Sequence, residues 1–444
     1  MSVETDRELQ TYVDKEEERQ KTTLTLIASE NYVFPEVYKY SGSLLTNKYS
    51  EGKVGARYYG GTKYIDEIEK LCQSRALALF SLDPAVWGVC VQPYSGSVAN
   101  FSAYSALVGP GGKIMGMNLP AGGHLTHGFQ TKAKKVSGSS LYFSSHPYGV
   151  DENGKLDYKE IRNQFNKVEP EILICGYSAH SQDINYTELR DIVGDKAFLY
   201  GDISHISALI ASGLMNNAFD ACDVVMTTTH KGLRGPRSGL IFYRKVVSIK
   251  GTTHNLEKMH SAVFPLMQGG PHNQTIAGTA HAMLMAAQPE FKEYGRQVIA
   301  NAKVLANFFA ERKYNIVTGS TVNHMIIADL TSKNVTGADL EDFCDLIGIS
   351  VNKNTVPKDT SPFKPSGVRL GTYAITTRGF KEQETKEVAD IIHFAVEFLQ
   401  THQKERENMS VREWAEKCDV LSREPVQKAS RKILHLAEMF PIPE

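Results

Sequence analysis

Two kinds of segment alternate along most of the chain: short apolar runs and segments with helical spacing of apolar residues. Short apolar runs such as WGVCVQ, EILICGYS, AFLYGDIS, CDVVMTTT and SGLIFYRK have the length of buried strands. Between them lie segments with helical spacing, among them DEIEKLCQSRALALF and TELRDIVGDK. This alternation predicts an α/β fold with a mainly parallel central sheet that is covered by helices on both faces.

The pattern changes twice along the chain and predicts three parts. A charged helix followed by the apolar turn LTLIASENY indicates an N-terminal helical arm over residues 1–35. The strand-rich segment predicts a large domain over residues 36–285. A long helix from about Pro289 to Arg312 and the segments HMIIADL, ISVNKN and GVRLGTYAIT follow it. They predict a smaller C-terminal α/β domain over residues 286–444.

Composition narrows the class of protein. The 444 residues carry a net charge of −1, so no basic field favours nucleic acid or an anionic membrane. No apolar run reaches the roughly 18 residues of a membrane span, and the acidic N-terminus lacks the apolar core of a signal peptide. The six cysteines form no CxxC pair. We therefore expect a cytoplasmic protein with no nucleic-acid partner, no membrane partner and no metal site.

Polar clusters follow four of the predicted strands. They are QPYSGS, GYSAHS, GDISH and TTTHK. Each could be an ordinary loop. Because the active sites of open α/β sheets lie at the carboxyl ends of the strands, the four together indicate one polar site.

Three of these clusters hold groups with complementary chemistry. Burial and the nearby Arg234 and Arg237 would lower the pKa of Lys231, and a neutral amine can form a Schiff base. Asp202 would be a buried carboxylate that needs a cationic partner such as a protonated ring nitrogen, although it could instead cap a helix. Ser95–Ser97 begin a predicted helix, whose first N–H groups can bind phosphate. Pyridoxal phosphate requires all three groups.

Nine segments, in this order, carry a resemblance to a known family over about residues 20–400. They are LIASENY, NKYSEGKVGARYYGGTKYID, QPYSGSVAN, GGHLTHG, DISHISALI, TTTHKGLRGPR, FPLMQGGPH, VNKNTVP and GVRLGTYAITTRGF. The set resembles serine hydroxymethyltransferase, a family of fold-type-I pyridoxal-phosphate-dependent transferases. The resemblance implies pyridoxal 5′-phosphate as cofactor and tetrahydrofolate as cosubstrate. The implied reaction is the reversible conversion of L-serine and tetrahydrofolate to glycine and 5,10-methylenetetrahydrofolate.

The resemblance also implies which residues bind the cofactor. Lys231 would form the Schiff base, Asp202 would hold the ring nitrogen, and His124 would stack on the ring. The other implied cofactor residues are Ser95, Gly96 and Ser97 for the phosphate, with Ser178, His205, Thr228 and His230 beside the ring. Tyr49, Gly269 and Gly270 would reach the cofactor of a neighbouring subunit. The implied assembly is a homodimer, possibly a tetramer, with active sites shared between subunits.

Substrate residues follow from the same resemblance. Arg369 would pair with the substrate carboxylate, with Ser29 nearby, and Glu51 would transfer a proton. Tyr58, Tyr59 and Leu119 would line the substrate site, and Asn354 would contact the pterin of folate. Lys231, Glu51, Tyr59, His124 and Asp202 are thus the expected catalytic residues.

Two departures from the family pattern and several alternatives stay open at this stage. Tyr373 stands where the family usually has proline, and the segment from Val356 to Phe363 is one residue shorter than usual. Another fold-type-I enzyme, either a threonine aldolase or an aminotransferase, would share the cofactor site. An inactive scaffold or an RNA-binding protein could use the same fold. His124 and His127 could suggest a metal pair, but no HExxH pattern or acidic third ligand accompanies them.

Overall fold

The computed structural model describes residues 6–357, 359 and 365–444. The helices are α1 Arg7–Thr22, α2 Glu36–Ser41, α3 Lys63–Leu79, α4 Gly96–Leu107, α5 Gly138–Tyr142, α6 Tyr158–Val168, α7 Tyr186–Val193, α8 Ser207–Ala211, α9 Met259–Val263, α10 Asn273–Ala286, α11 Pro289–Glu311, α12 Gly337–Ile347, α13 Tyr373–Thr377, α14 Glu382–Thr401, α15 Val411–Lys417 and α16 Glu424–Met439. The strands are β1 Leu24–Thr25, β2 Gly52–Lys53, β3 Ala56–Arg57, β4 Trp87–Cys90, β5 Lys113–Met115, β6 Ser144–Ser145, β7 Ile172–Gly176, β8 Phe198–Asp202, β9 Val224–Thr228, β10 Gly239–Arg244, β11 Val246–Ile249, β12 Thr252–Asn255, β13 Asn315–Ile316, β14 Met325–Asp329, β15 Ile349–Ser350, β16 Asn352–Asn354 and β17 Gly367–Gly371.

Contacts within the chain divide it into two compact units. The larger unit is Asn31–Arg296, and the smaller unit joins the segment up to Glu30 with Gln297–Glu444. The domain boundaries that we drew from the sequence, at residues 35 and 285, stay predictions.

A seven-stranded sheet forms the centre of the larger unit. Its strand order is β4-β10-β9-β8-β7-β5-β6. The pairs from β6 through β9 are parallel, and β10 is antiparallel to both β9 and β4. Every residue of β7, β8 and β9 is buried, as expected for strands that are covered on both faces. The prediction of a mainly parallel α/β sheet is confirmed.

Strand β10 shows how the two faces are covered. Ile241 and Tyr243 belong to a core that includes Ala99 and Ala103 of α4. Phe242 points to the opposite face, where its ring lies 5.2 Å from that of Phe219. Successive side chains of a strand alternate between faces, so one apolar run supplies both cores.

The polar clusters that the sequence placed after strands meet at one edge of this sheet. Gly176, at the end of β7, is paired with Asp202, at the end of β8. Gly176 has a φ of +149°, and a Cβ there would lie 2.1 Å from the Asp202 carbonyl oxygen. Only glycine therefore allows these two strand ends to approach so closely.

The smaller unit contains a four-stranded antiparallel sheet in the order β13-β14-β17-β16. Beside it, β1 pairs in parallel with β15, which ties the N-terminal segment to this unit. A capping box of Thr336 and Asp339 begins α12. Phe343, Phe398 and Trp414 lie in its core.

The two departures from the family pattern fall in this unit. Tyr373 begins α13, is fully buried and stacks on His324 with ring centroids 4.1 Å apart. The ring therefore fills core space that a proline would leave open. The shortened segment, Val356–Phe363, lies largely outside the described residues.

Neighbouring positions on α16 give a matched test of this core. Ile433 is 1% exposed within the core, whereas Leu434 is 39% exposed. Ile433→Ala should lower the free energy of unfolding by about 2–5 kcal/mol, because it removes buried methyl groups and leaves a cavity. Leu434→Ala should change it by no more than about 0.5 kcal/mol. Urea denaturation of both variants measures the difference, and equal losses would contradict the packing described for α16.

Candidate active site

Lys231 lies three residues after β9 and is 8% exposed. Its backbone carbonyl accepts a hydrogen bond of 3.0 Å from the Asn31 amide, which also donates to the Tyr294 hydroxyl at 2.9 Å. Arg234 then reverses the chain with a φ of +56° and places its guanidinium 4.3 Å from the Phe34 ring centroid. These contacts hold the turn that carries the lysine.

Asp202 is 5% exposed at the end of β8, and both of its carboxylate oxygens accept hydrogen bonds. Oδ1 accepts from the Ser204 hydroxyl at 2.6 Å and from the Ser204 N–H at 3.2 Å. Oδ2 accepts from the Asn100 amide and from His127 Nε2, each at 3.0 Å. Burial raises the pKa of Asp202, but hydrogen bonds from His127 and Ser204 lower it, and the pKa stays below its ordinary value. Asp202 is therefore a carboxylate throughout the physiological range.

A hydrogen-bonded ring of side chains surrounds that carboxylate. The His124 N–H donates to His127 Nδ1, so His127 Nε2 carries the proton that it donates to Asp202. Asn100 also donates to the Thr126 hydroxyl at 2.8 Å, and that hydroxyl lies 2.7 Å from His124 Nδ1. Burial lowers the pKa of His124 to about 4, so its ring is neutral at pH 7.

Asp202, Ser204 and His124 line one cleft at the carboxyl edge of the sheet. Its lining is Gly96, His124, Tyr177, Ser178, Asp202, Ser204, His205, Met226, Thr228 and Lys231. The two rings of His124 and His127 lie 5.8 Å apart. In the described part of the chain, no group of three His, Cys, Asp or Glu side chains could hold a metal ion.

Helix α4 points its N-terminus toward this cleft. Ser95 is the N-cap and accepts a hydrogen bond from the Val98 N–H. A Cβ on Gly96 would lie 2.7 Å from Thr228 Cγ2, so glycine allows α4 to approach the end of β9. The first N–H groups of a helix have no partner within the helix and favour an anion such as phosphate.

The residues of the cleft fit pyridoxal phosphate. Lys231 supplies an amine, Asp202 an ionised carboxylate, and α4 a positive helix end. Among the described residues, two buried polar atoms near Lys231 have no hydrogen-bond partner, Thr228 Oγ1 and His230 Nδ1. Buried polar atoms are rarely left unsatisfied, so these two indicate room for a polar ligand.

A second cluster forms around Glu51 in the same unit. Tyr49, Tyr58 and Tyr59 are 55%, 76% and 45% exposed, and the Tyr49 and Tyr59 ring centroids are 5.0 Å apart. The Glu51 carboxylate raises the pKa of Tyr59. A Cβ on Gly269 would lie 3.2 Å from Glu51 Oε1, and one on Gly270 would lie 3.1 Å from the Tyr49 ring. These six predicted residues thus come together.

The Glu51 cluster shares no residue with the lining of the Lys231 cleft. Of the residues that the structure describes, those lining the cleft include none of Tyr49, Glu51, Tyr58, Tyr59 or Gly269. Leu119 lies in a short helical turn ahead of the cleft residue His124. Within one chain, the predicted site residues of this unit therefore form two groups that share no residue.

The remaining predicted residues lie in the smaller unit. Arg369 is on β17, and its Nε donates to Asn352 Oδ1 at 3.1 Å. Burial lowers the pKa of Arg369 to about 10, which leaves it a cation at pH 7. Asn354 is on β16 opposite Gly367. Ser29 follows Ala28, whose Cα would lie 2.3 Å from a Cβ on Gly371 at the end of β17.

Comparison with known proteins places this arrangement in a family. A family model described as serine hydroxymethyltransferase matches residues 2–392. A cytosolic serine hydroxymethyltransferase of Encephalitozoon cuniculi is 53% identical over 99% of this chain and 96% of its own. The cytosolic enzyme of Oryctolagus cuniculus is 46% identical over 99% and 93%. A chloroplastic one of Arabidopsis thaliana is 44% identical over 99% and 84%.

The chain belongs to the serine hydroxymethyltransferase family. This match confirms the resemblance that the sequence motifs indicated. The family is pyridoxal-phosphate-dependent and uses tetrahydrofolate as cosubstrate. Its fold is that of the fold-type-I enzymes, which agrees with the mainly parallel sheet described above. Within the described ranges, every helix is too short or too polar to span a lipid bilayer.

Sequence reasoning did not find several residues that form hydrogen bonds around Asp202 in this member of the serine hydroxymethyltransferase family. Asn100 and Ser204 both bind Asp202, and Thr126 bridges Asn100 to His124. A signal for Asn100 was present, because it is a polar residue in the otherwise small and apolar segment SVANFSAYSALV. Its spacing of four from Gly96 puts both on one face of α4.

The lowered pKa values of three buried histidines allow a prediction of how the free energy of unfolding depends on pH. Burial is the main cause that lowers the pKa of His124 and His180 to about 4 and that of His230 to about 3. Below pH 6.5, about the ordinary pKa of histidine, these histidines bind protons in the unfolded chain but stay neutral in the folded chain. The free energy of unfolding should therefore fall as pH falls from 6.5 to 4.

Urea denaturation of the purified protein at several pH values checks this expectation. His124→Asn should flatten the slope between pH 6.5 and 4, since one of the proton-refusing groups is removed. His435→Asn, at an exposed position on α16, is the matched control. A slope that His124→Asn leaves unchanged would contradict a neutral, buried His124.

Proposed function

We propose that this chain is a serine hydroxymethyltransferase that interconverts L-serine and tetrahydrofolate with glycine and 5,10-methylenetetrahydrofolate. The observation that carries the proposal is the cleft in which Lys231, the ionised Asp202 and the N-terminus of α4 meet. Bound there, pyridoxal phosphate would supply an electron sink for the bond that breaks at the substrate Cα. The family relationship supports the same reaction.

The cleft residues would bind and orient that cofactor. The Lys231 amine would bind its carbonyl carbon, and Asp202 would hold a proton on its ring nitrogen. The N–H groups at Ser95–Ser97 would bind its phosphate, with His124 against the ring face. His205, Ser178, Thr228 and His230 would complete the polar surroundings, since all four lie beside Lys231 in the chain or the cleft.

Other predicted residues would bind the substrates. The Arg369 guanidinium suits a carboxylate because its planar fork can donate two parallel hydrogen bonds, and Ser29 would add a third donor. Glu51 would move a proton at the reacting hydroxymethyl group, with Tyr58, Tyr59 and Leu119 around the substrate. Asn354 would bind the pterin of the folate.

We further propose that the smallest active unit is a homodimer in the cytosol. The exposed tyrosines around Glu51 do not line the chain's own cleft, which is expected if they serve the cleft of a second copy. In a twofold dimer, each copy would receive from its partner the same residues that it gives. The E. cuniculi and O. cuniculus relatives are named cytosolic, which supports the location.

Cleavage of serine with and without tetrahydrofolate tests the reaction. Tetrahydrofolate should strongly stimulate conversion of serine to glycine, because the hydroxymethyl carbon needs an acceptor. Glycine formation measured by amino-acid analysis gives both rates. Equal rates would favour an aldolase that shares the cofactor site, and colourless purified protein without absorbance above 400 nm would favour an inactive scaffold.

Covalent trapping tests the role of Lys231. Borohydride reduction of the cofactor-loaded protein, followed by peptide mapping, should place the label on Lys231, since this amine alone is proposed to bind the carbonyl carbon. Lys231→Ala should lose the label and steady turnover. Lys245→Ala, a surface lysine that donates to the Pro84 carbonyl, is the control and should keep both. Label on another lysine would overturn the assignment.

Mixing two inactive variants tests the shared site. A hybrid dimer of Lys231→Ala and Glu51→Gln would hold one site with both lesions and one with neither. Activity should return to roughly half that of a wild-type dimer for each hybrid, because one of two symmetry-related sites is intact. If subunits exchange and no activity returns, Lys231 and Glu51 act within one chain.

A further inference from the structure

A buried polar network lies behind the hairpin that carries Glu51. Arg57, whose side chain is 3% exposed, donates to Asp66 at 2.8 Å and to Glu69 at 2.6 Å. It also donates to the backbone carbonyls of Gly52 at 2.7 Å and Ser50 at 3.0 Å. Arg57 thus binds the residues on both sides of Glu51 in the chain.

Gln92 joins this network to the strand that leads into the phosphate-binding turn. Its amide nitrogen donates to the Gly52 carbonyl at 3.0 Å and to Glu69 at 2.9 Å, and the residue is 5% exposed. Its backbone carbonyl accepts from the Gln268 amide at 2.9 Å. Gln268 in turn accepts from the Tyr94 N–H at 2.9 Å. Gln92 therefore contacts the Glu51 hairpin on one side and the Gly269 segment on the other.

The hairpin needs such support from outside. Its strands, β2 and β3, have two residues each, and a two-stranded hairpin is at best marginally stable in water. The turn approaches so closely that a Cβ on Gly52 would lie 2.3 Å from the Ala56 carbonyl oxygen. Since Glu51 directly precedes Gly52, a shift of the Gly52 carbonyl would move the Glu51 side chain.

We propose that Gln92 is a positioning residue for Glu51, acting with Arg57 and Glu69 through the Gly52 carbonyl. The inference rests on the proposed role of Glu51 in proton transfer. The two hydrogens of the Gln92 amide are shared between a carbonyl of the hairpin and the Glu69 carboxylate. A residue without donors at this position would leave both acceptors buried with fewer bonds.

The decisive test is a double-mutant cycle between Gln92 and Glu51. Gln92→Met keeps the side-chain length and removes both donors. It should lower folate-dependent turnover of serine roughly 10- to 100-fold, the loss expected from a displacement of about 1 Å. Absorbance above 400 nm and the cofactor content should stay at wild-type values. Gln297→Met, which removes a half-buried amide bonded to Asn301, is the matched control and should keep turnover.

A merely structural role for Gln92 gives a different result in the cycle. In a Glu51→Gln background, Gln92→Met should add less than about a twofold loss, because the group that it positions is already disabled. Losses that multiply would overturn the inference, as would wild-type turnover in Gln92→Met. If Glu51→Gln itself keeps full turnover, the proposed role of Glu51 fails and the inference falls with it.

A second variant, Arg57→Lys, can replace Gln92→Met if Gln92→Met does not fold. Should Gln92→Met give no folded protein, Arg57→Lys carries the same test, since it keeps the charge and loses the fork that binds Gly52 and Glu69. The expected loss and the expected lack of additivity with Glu51→Gln are the same. Multiplying losses in that cycle would likewise overturn the network as a positioning device.

Discussion

The burial of one carboxylate constrains the rest of the catalytic cleft. An isolated buried carboxylate is strongly disfavoured, so Asp202 requires donors that the fold must bring to it. Those donors come from three places: Asn100 on α4, His127 after β5, and Ser204 after β8. Because Asn100 is one turn from Gly96, the bond that satisfies Asp202 also fixes the end of α4 proposed to bind phosphate. The ring nitrogen and the phosphate of the cofactor would thus be held by parts of one hydrogen-bonded arrangement.

The same arrangement limits how charge is distributed in the cleft. His124 and His230 have lowered pKa values because they are desolvated, and both rings are neutral at pH 7. The negative charge of Asp202 therefore has no protonated His124 or His230 to neutralise it. A neutral His124 is suited to lie against an aromatic ring whose nitrogen carries a proton, since a cationic ring there would repel it. The same burial should lower the free energy of unfolding in acid, because the folded state resists protonation of these histidines.

The general position of the cleft could be predicted from the sequence, but its hydrogen bonds could not. Apolar runs of strand length, each followed by polar residues, were enough to place Lys231 and Asp202 at one edge of a sheet. The roles of Glu51 and Arg369 needed the family resemblance, because no local pattern distinguishes them from surface residues. Asn100 and Asp202 are 102 positions apart in the chain, so no local pattern predicts their contact. The antiparallel direction of β10 depends on the order of strands in the sheet. Neither leaves a periodic signal. The two-residue strands β2 and β3 are too short for any pattern to show.

The Glu51 hairpin shows the opposite design from the Asp202 site. Asp202 is buried and accepts hydrogen bonds within its own chain, whereas Glu51 lies among three tyrosines that are each about half or more exposed. Covering the hairpin with a second copy would exclude water from Glu51. In the shared-site proposal, the buried network of Arg57, Glu69 and Gln92 supports one side of the hairpin, and the side with the exposed tyrosines is open to a second copy. The chain itself supports one side of the hairpin, and a second copy would cover the other.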